Sequence, residues 1–107
     1  LHYQTHNPNA THDIILLNEH AIGRLYVARR DQEIRILDLT ILPEHRNQGI
    51  GTSLLRNLMT QAVHAGKPLT IFVETYNPSY RLFQRLGFNK IDEHDEVNHL
   101  LEWRAGA

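Results

Sequence analysis

The feature that most constrains this chain is one amphipathic stretch set between two apolar runs. Ile50, Leu54, Leu55, Leu58, Met59, Ala62 and Val63 recur at i, i+4, i+5, i+8, i+9, i+12 and i+13, which is one face of a helix. Gly66 suits the left-handed residue that closes a helix, and Pro68 blocks any continuation. Before the helix, Glu33 to Leu42 is a run rich in Ile and Leu that Pro43 ends; after it, Leu69 to Glu74 is a second run. Strand, helix and strand in that order should give a parallel pair joined by a right-handed crossover.

The remaining elements follow from shorter signals. Residues 1–11 are polar and read as a loop or a frayed lead-in. Asp13–Leu17 and Ala21–Ala28 are apolar runs separated by polar turns, so with Glu33–Leu42 they predict an antiparallel meander. Asn77-Pro78 opens a second helix whose apolar face is Leu82, Phe83 and Leu86 and which Gly87 ends. Phe88–Ile91, the acidic turn Asp92–Glu96 and Val97–Trp103 predict a closing hairpin. The expected order is β-β-β-α-β-α-β-β, an α/β fold of the α+β type with a mixed sheet, in one domain over residues 1–107.

Charge and composition narrow the function classes. Eleven basic against twelve acidic side chains give a net charge of -1, which supports neither a nucleic-acid nor an anionic-membrane partner. The chain has no cysteine, which excludes disulfides, thiolate metal sites and Cys nucleophiles. No apolar run approaches the roughly 20 residues that span a bilayer, and the first residues do not resemble a secretion signal, so a cytoplasmic location is expected. The chain begins at Leu1 rather than Met and reads as a piece of something longer. Asn9-Ala10-Thr11 matches a glycosylation sequon, which carries no meaning without secretion.

The stretch that carries chemistry is Leu39-Thr40-Ile41-Leu42-Pro43-Glu44-His45-Arg46-Asn47-Gln48-Gly49-Ile50-Gly51-Thr52. Here a strand feeds a loop that runs straight into the long helix. Gly49 and Gly51 carry no Cβ, so a ligand can approach the backbone closely. The first N–H groups of the helix have no intrahelical partner and, with the helix dipole, favour an anion such as phosphate. Arg46 adds a fixed positive charge at the same end. The loop is not a Walker A motif, because no Gly-Lys-Ser/Thr follows, and it lacks the third Gly of a dinucleotide fingerprint.

Arg46-x-x-Gly49-x-Gly51, after an apolar strand and a Pro-Glu-x-Arg spacing, resembles the Arg/Gln-x-x-Gly-x-Gly/Ala signature of the GNAT family of N-acetyltransferases. A second block, Asn77-Pro78-Ser79-Tyr80-Arg81-Leu82-Phe83-Gln84-Arg85-Leu86-Gly87-Phe88, is similar to that family's Asn-Pro-Ala-x-x-Leu-Tyr-x-x-Leu-Gly-Phe segment. The resemblance covers roughly residues 13–103. It implies a parallel strand pair splayed for acyl-CoA. Leu39, Thr40 and Ile41 would offer backbone to the pantetheine arm, with a backbone N–H near Leu39 polarising the thioester. Arg46, Asn47, Gln48, Gly49, Ile50, Gly51 and Thr52 would hold the pyrophosphate, and Asn77 and Phe83 would also meet the coenzyme. It implies acetyl-CoA as co-substrate and a small-molecule or peptide amine as acceptor. The alternative is a non-catalytic acyl-CoA-binding or interaction domain derived from the same fold.

Two departures from the family pattern bear on catalysis. The family's usual acid is a Tyr where this chain has Phe83, a ring that cannot donate a proton. Tyr80, Tyr76 or solvent are the substitutes for protonating the thiolate, and Glu74, Asp38 and Glu33 are the candidate bases. The family also carries helices before its first strands, and only a short polar stretch precedes Asp13 here. Asp92, Glu93, His94, Asp95, Glu96 and His99 have metal-compatible side chains without a metal-site spacing, so no metal is expected. Tyr26 and Trp103 read as core or edge-strand residues. The terminal strand, if left uncovered, invites strand addition from a second copy, which makes a homodimer one expectation.

Overall fold

A computed structural model describes residues 2–4, by backbone alone, and residues 9–106. Seven strands form one sheet: β1 (His2–Gln4), β2 (Ala10–Leu17), β3 (His20–Arg29), β4 (Ile34–Ile41), β5 (Leu69–Glu74), β6 (Asn89–Glu93) and β7 (Asn98–Trp103). Helix α1 (Ile50–Ala65) connects β4 to β5, and α2 (Tyr80–Arg85) connects β5 to β6. The sheet order is β1-β2-β3-β4-β5-β7-β6. Among the described strands, only β4 and β5 pair in parallel, as the strand–helix–strand reading required; the other neighbours are antiparallel. No described helix is long and apolar enough to cross a membrane.

Both helices share one apolar core with one face of the sheet. Leu55, Leu58, Met59 and Ala62 of α1 and Phe83 of α2 cluster with Leu25, Val27, Ile34, Ile36, Leu69, Ile71, Val73 and Leu101. Strand side chains alternate between faces. Thr70, Phe72 and Glu74 therefore lie on the opposite face from Leu69, Ile71 and Val73. Gly66 closes α1 at φ 67, as its sequence position suggested.

Four expectations need correction. The lead-in is not a loop throughout, because His2–Gln4 pairs with Thr11–Asp13 and β2 already starts at Ala10. A polar edge strand gives no hydrophobic signal; residues 5–8 of that stretch lie outside the described residues. Helix α2 begins at Tyr80 rather than at Asn77. The Asn77 side chain instead accepts from the Ser79 N–H at 2.9 Å and the Ser79 hydroxyl at 2.8 Å, closing a turn ahead of the helix. Val63, expected on the apolar face of α1, is 52% exposed. The last strand is not an edge: β7 lies between β5 and β6, because the hairpin puts β6 outside it. The strand on which the dimer expectation rested thus has both sides occupied.

Candidate functional site

The site begins where β4 and β5 separate. They pair at Ile34↔Leu69, Arg35↔Thr70 and Ile36↔Ile71, and no further. Both strands continue, β4 to Ile41 and β5 to Glu74. A bulge marks the parting: Tyr26 of β3 faces Asp38 and Val27 faces Ile36, so Leu37 is an extra residue on β4. Bulges bend a strand and increase its twist, which turns the upper half of β4 away from β5. Leu37 and Phe72, the first residues past the last paired rung, are 48% and 49% exposed.

The parted strands open into a cleft of about 760 Å³, a size that suits a cofactor-sized ligand. Leu39, Thr40 and Ile41 line it from β4. His45, Arg46, Asn47, Gly49, Ile50, Gly51 and Thr52 line it from the loop and α1. Asn77, Pro78, Ser79, Arg81, Leu82 and Arg85 close it from the α2 side. None of these described lining residues is acidic.

Local backbone explains the α1 wall. Gly49 precedes the helix at φ 81 and Asn47 sits at φ 61, both in the left-handed region. The first helical bond runs from the Ser53 N–H to the Gly49 carbonyl at 3.0 Å. The amides of Ile50, Gly51 and Thr52 thus precede it, and the first turn of α1 holds no acidic side chain. A Cβ on Gly51 would lie 3.3 Å from Leu82 Cδ2, so this glycine lets α1 and α2 approach at the cleft floor. Arg46 Nε donates to the Ile41 carbonyl at 2.9 Å, tying the loop back to the end of β4.

Most of the expected coenzyme residues therefore come together, with two exceptions. Gln48 is exposed and bonds the Glu44 carbonyl at 3.3 Å, outside the cleft lining. Phe83 does not line the cleft at all; it is 1% exposed and meets Phe88 edge to face at 5.2 Å between ring centroids. Its burial follows from the helix: Arg81, Leu82 and Arg85 share the cleft face, and Phe83 falls on the core face.

The three catalytic candidates separate in the same way. Asp38 accepts from Arg24 Nε at 2.7 Å and from the Thr40 hydroxyl at 2.7 Å, so its carboxylate is held in a cross-strand ion pair. Tyr80 packs on the core side of α2, its hydroxyl 2.7 Å from His99 Nδ1 on β7. It is not among the residues that line the cleft. Glu74 ends β5 at the open side of the slot, half-buried, and no described cation pairs with it. Tyr76 is 75% exposed.

The closed end of the slot carries its own network. Thr70 donates to Glu33, which pairs with Arg35 at 2.8 Å and with Arg30 at 3.6 Å. Arg35 Nε donates to the Thr70 hydroxyl at 2.8 Å, and its guanidinium lies 4.9 Å from the Phe72 ring centroid. Burial works to raise the Glu33 pKa. The Thr70 hydrogen bond and the Arg35 and Arg30 charges outweigh it, leaving the carboxyl below its ordinary value. Glu33 is thus held as an ionised partner in the network that joins β4 to β5.

Sequence reasoning passed over Gly23. A Cβ there would lie 2.2 Å from the Thr40 carbonyl oxygen, so only glycine lets β3 come this close to the cleft strand. Its isolated position inside an apolar run was the available signal. His45, Arg81 and Arg85 were also passed over, because nothing in the spacing says that they face a cleft.

With this geometry in view, three comparisons place the chain. The model of the acetyltransferase (GNAT) family matches residues 1–88. No curated protein matches. Among solved structures, the chain is similar to the PaiA N-acetyltransferase of Thermoplasma acidophilum in complex with coenzyme A (18% identity, TM-score 0.79, 92% of this chain and 62% of that one). An acetyltransferase from Thermus thermophilus matches at 18% identity and TM-score 0.78, over 92% of this chain and 66% of that one. A GNAT family acetyltransferase from Elizabethkingia anophelis with acetyl-CoA bound matches at 19% identity and TM-score 0.74, over 90% of this chain and 76% of that one. The chain thus spans under two thirds of the first two, and at these identities the likeness establishes the fold.

Proposed function

We propose that this chain, which belongs to the acetyltransferase (GNAT) family, moves an acetyl group from acetyl-CoA to a primary amine of a small-molecule or peptide acceptor by direct transfer. One observation carries the reading: a parallel strand pair parts after three rungs into a cleft whose far wall is a glycine-lined helix start with unsatisfied amides. The residues fit the coenzyme. The left-handed Gly49 and the Cβ-free Gly51 leave room for a pyrophosphate against the amides of Ile50, Gly51 and Thr52, and Arg46 supplies charge. The backbone of Leu39–Ile41, unpaired on its β5 side, offers hydrogen bonds to an amide-bearing arm. Both parts of this fit are supported by geometry and chemistry alone.

In the reaction, the neutral amine attacks the thioester carbonyl carbon, a C–N bond forms, and the C–S bond breaks to release the coenzyme thiolate. Glu74, on the slot side opposite the helices and without a described cation partner, takes the amine proton directly or through water. The thiolate takes its proton from solvent, because Tyr80 is turned to His99 and Phe83 is buried. Positioning by the cleft and stabilisation of the developing oxyanion carry the rest.

The placement of Tyr80, Phe83 and Asp38 favours a second reading, a binding domain that keeps the coenzyme without transferring its acyl group. Calorimetry with acetyl-CoA tests the shared premise. Micromolar affinity, about -8 kcal/mol, that is lost in Gly49→Val supports the cleft assignment, and no binding by the folded protein refutes it. Turnover with a panel of primary amines then separates the two readings. The enzyme reading expects turnover that falls by about a hundredfold in Glu74→Gln; binding without any turnover selects the second.

A further inference from the structure

The arginines of this chain are unevenly matched with acids. Of the nine, Arg24, Arg30, Arg35 and Arg104 pair with carboxylates. Arg29 is held by Thr11 at 3.0 Å and Gln61 at 2.8 Å. Arg46, Arg56, Arg81 and Arg85 remain without a described carboxylate partner, and all but Arg56 line the cleft. In a chain of net charge -1, that concentration marks a site for more than one anionic group.

The cleft cations fall into two sets. Arg46 belongs to the α1 wall, and part of its guanidinium is engaged by the Ile41 carbonyl. Arg81 and Arg85 belong to α2, four residues apart on one helix face, exposed on either side of Leu82. Like charges at that spacing repel, and α2 contains no acidic side chain to offset them. No described acceptor engages either guanidinium. A doubly charged anion set between the two would relieve the repulsion and meet two forked donors.

We propose that Arg81 and Arg85 form a second phosphate subsite, distinct from the pyrophosphate seat at α1, that holds the 3′-phosphomonoester of the coenzyme and selects CoA over its 3′-dephospho form. The inference rests on the coenzyme reading of the cleft. The two anionic groups of CoA are separated by a ribose, and the two cationic sets stand on facing walls of one cleft. The 3′-phosphate is the only feature that the dephospho form lacks, so the subsite shows as a ratio of two affinities.

The test is calorimetric titration of CoA and of 3′-dephospho-CoA into the wild-type protein, Arg81→Gln/Arg85→Gln and Arg56→Gln, with circular dichroism confirming the fold. Wild type is expected to prefer CoA by about tenfold, the scale of two partly exposed charge-assisted contacts. The double variant should bind both ligands alike, with the dephospho affinity within about twofold of wild type. Arg56→Gln, which removes one arginine charge outside the cleft, should keep the preference. Equal wild-type affinities, a preference that survives in the double variant, or one that Arg56→Gln also abolishes would each overturn the subsite while leaving the coenzyme reading standing. Folded wild type that binds neither ligand would overturn both.

Discussion

The lower and upper halves of β4 solve opposite problems. From Ile34 to Ile36 the strand is paired on both sides, and the network of Glu33, Arg35 and Thr70 fastens it to β5. From Asp38 to Ile41, past the bulged Leu37, it is paired only with β3, and its other edge faces a cleft. An edge left open for a ligand cannot rely on that ligand for shape. Its support comes from the other side: β3 approaches at Gly23, Arg24 binds Asp38, and Arg46 holds the Ile41 carbonyl. The difference teaches that the Asp38 carboxylate braces the open half of the strand, whereas Glu74, at the free end of β5, has no described cation partner.

The comparison breaks most severely at Gly23. Gly23→Ala would drive a methyl into the Thr40 carbonyl, and the upper half would have to move; a loss of about 3 kcal/mol in urea denaturation is expected. An unchanged midpoint would mean that the upper half needs no close approach from β3. Thr70→Val attacks the lower half by leaving Glu33 and Arg35 with an unmet partner at a site 3% exposed, and about 2 kcal/mol should be lost. Retained coenzyme affinity in that variant would show that the halves are independent.

Smaller effects sharpen the contrast. Asp38→Asn removes a partly exposed ion pair, so stability should fall by only about 0.5 kcal/mol. Turnover should fall far less than in Glu74→Gln. A larger kinetic loss at Asp38 than at Glu74 would reverse their assigned roles. Acid titration of stability gives the finest distinction. Glu33 has a lowered pKa in the folded chain, so its contribution is present above the ordinary carboxylate range and fades as pH drops through the lowered value. Glu33→Gln should flatten that acid limb below about pH 4.5.

The sequence disclosed the α1 side of the cleft well and the rest poorly, for physical reasons. Gly49 and Gly51 are legible because few other residues accept their backbone conformation or spacing, and the parallel crossover follows from element order. The facing of Asp38 was not legible. Strict alternation from the buried Ile34 and Ile36 would send Asp38 into the core. The extra residue Leu37 reverses the phase, and a bulge leaves no mark in a run of Ile, Leu and Asp. The roles of Tyr80 and Phe83 depended on where α2 starts. Each residue of displacement turns a helical side chain by about 100°, so the later start at Tyr80 decides which side chains meet the cleft.

The sheet order has a consequence for assembly. The strand nearest the C-terminal end, β7, is inserted between β5 and β6 and pairs with both. During synthesis, β5 emerges with one edge awaiting a partner that is made some thirty residues later, and β6 has no neighbour at all until β7 arrives. Strand β5 therefore gains its second neighbour last, and a nascent chain that has already made the whole glycine loop still holds an unfinished sheet. Folding of this domain should be a late, nearly all-or-none event on the ribosome, so that a stall before Trp103 would expose β5 to pairing with other chains.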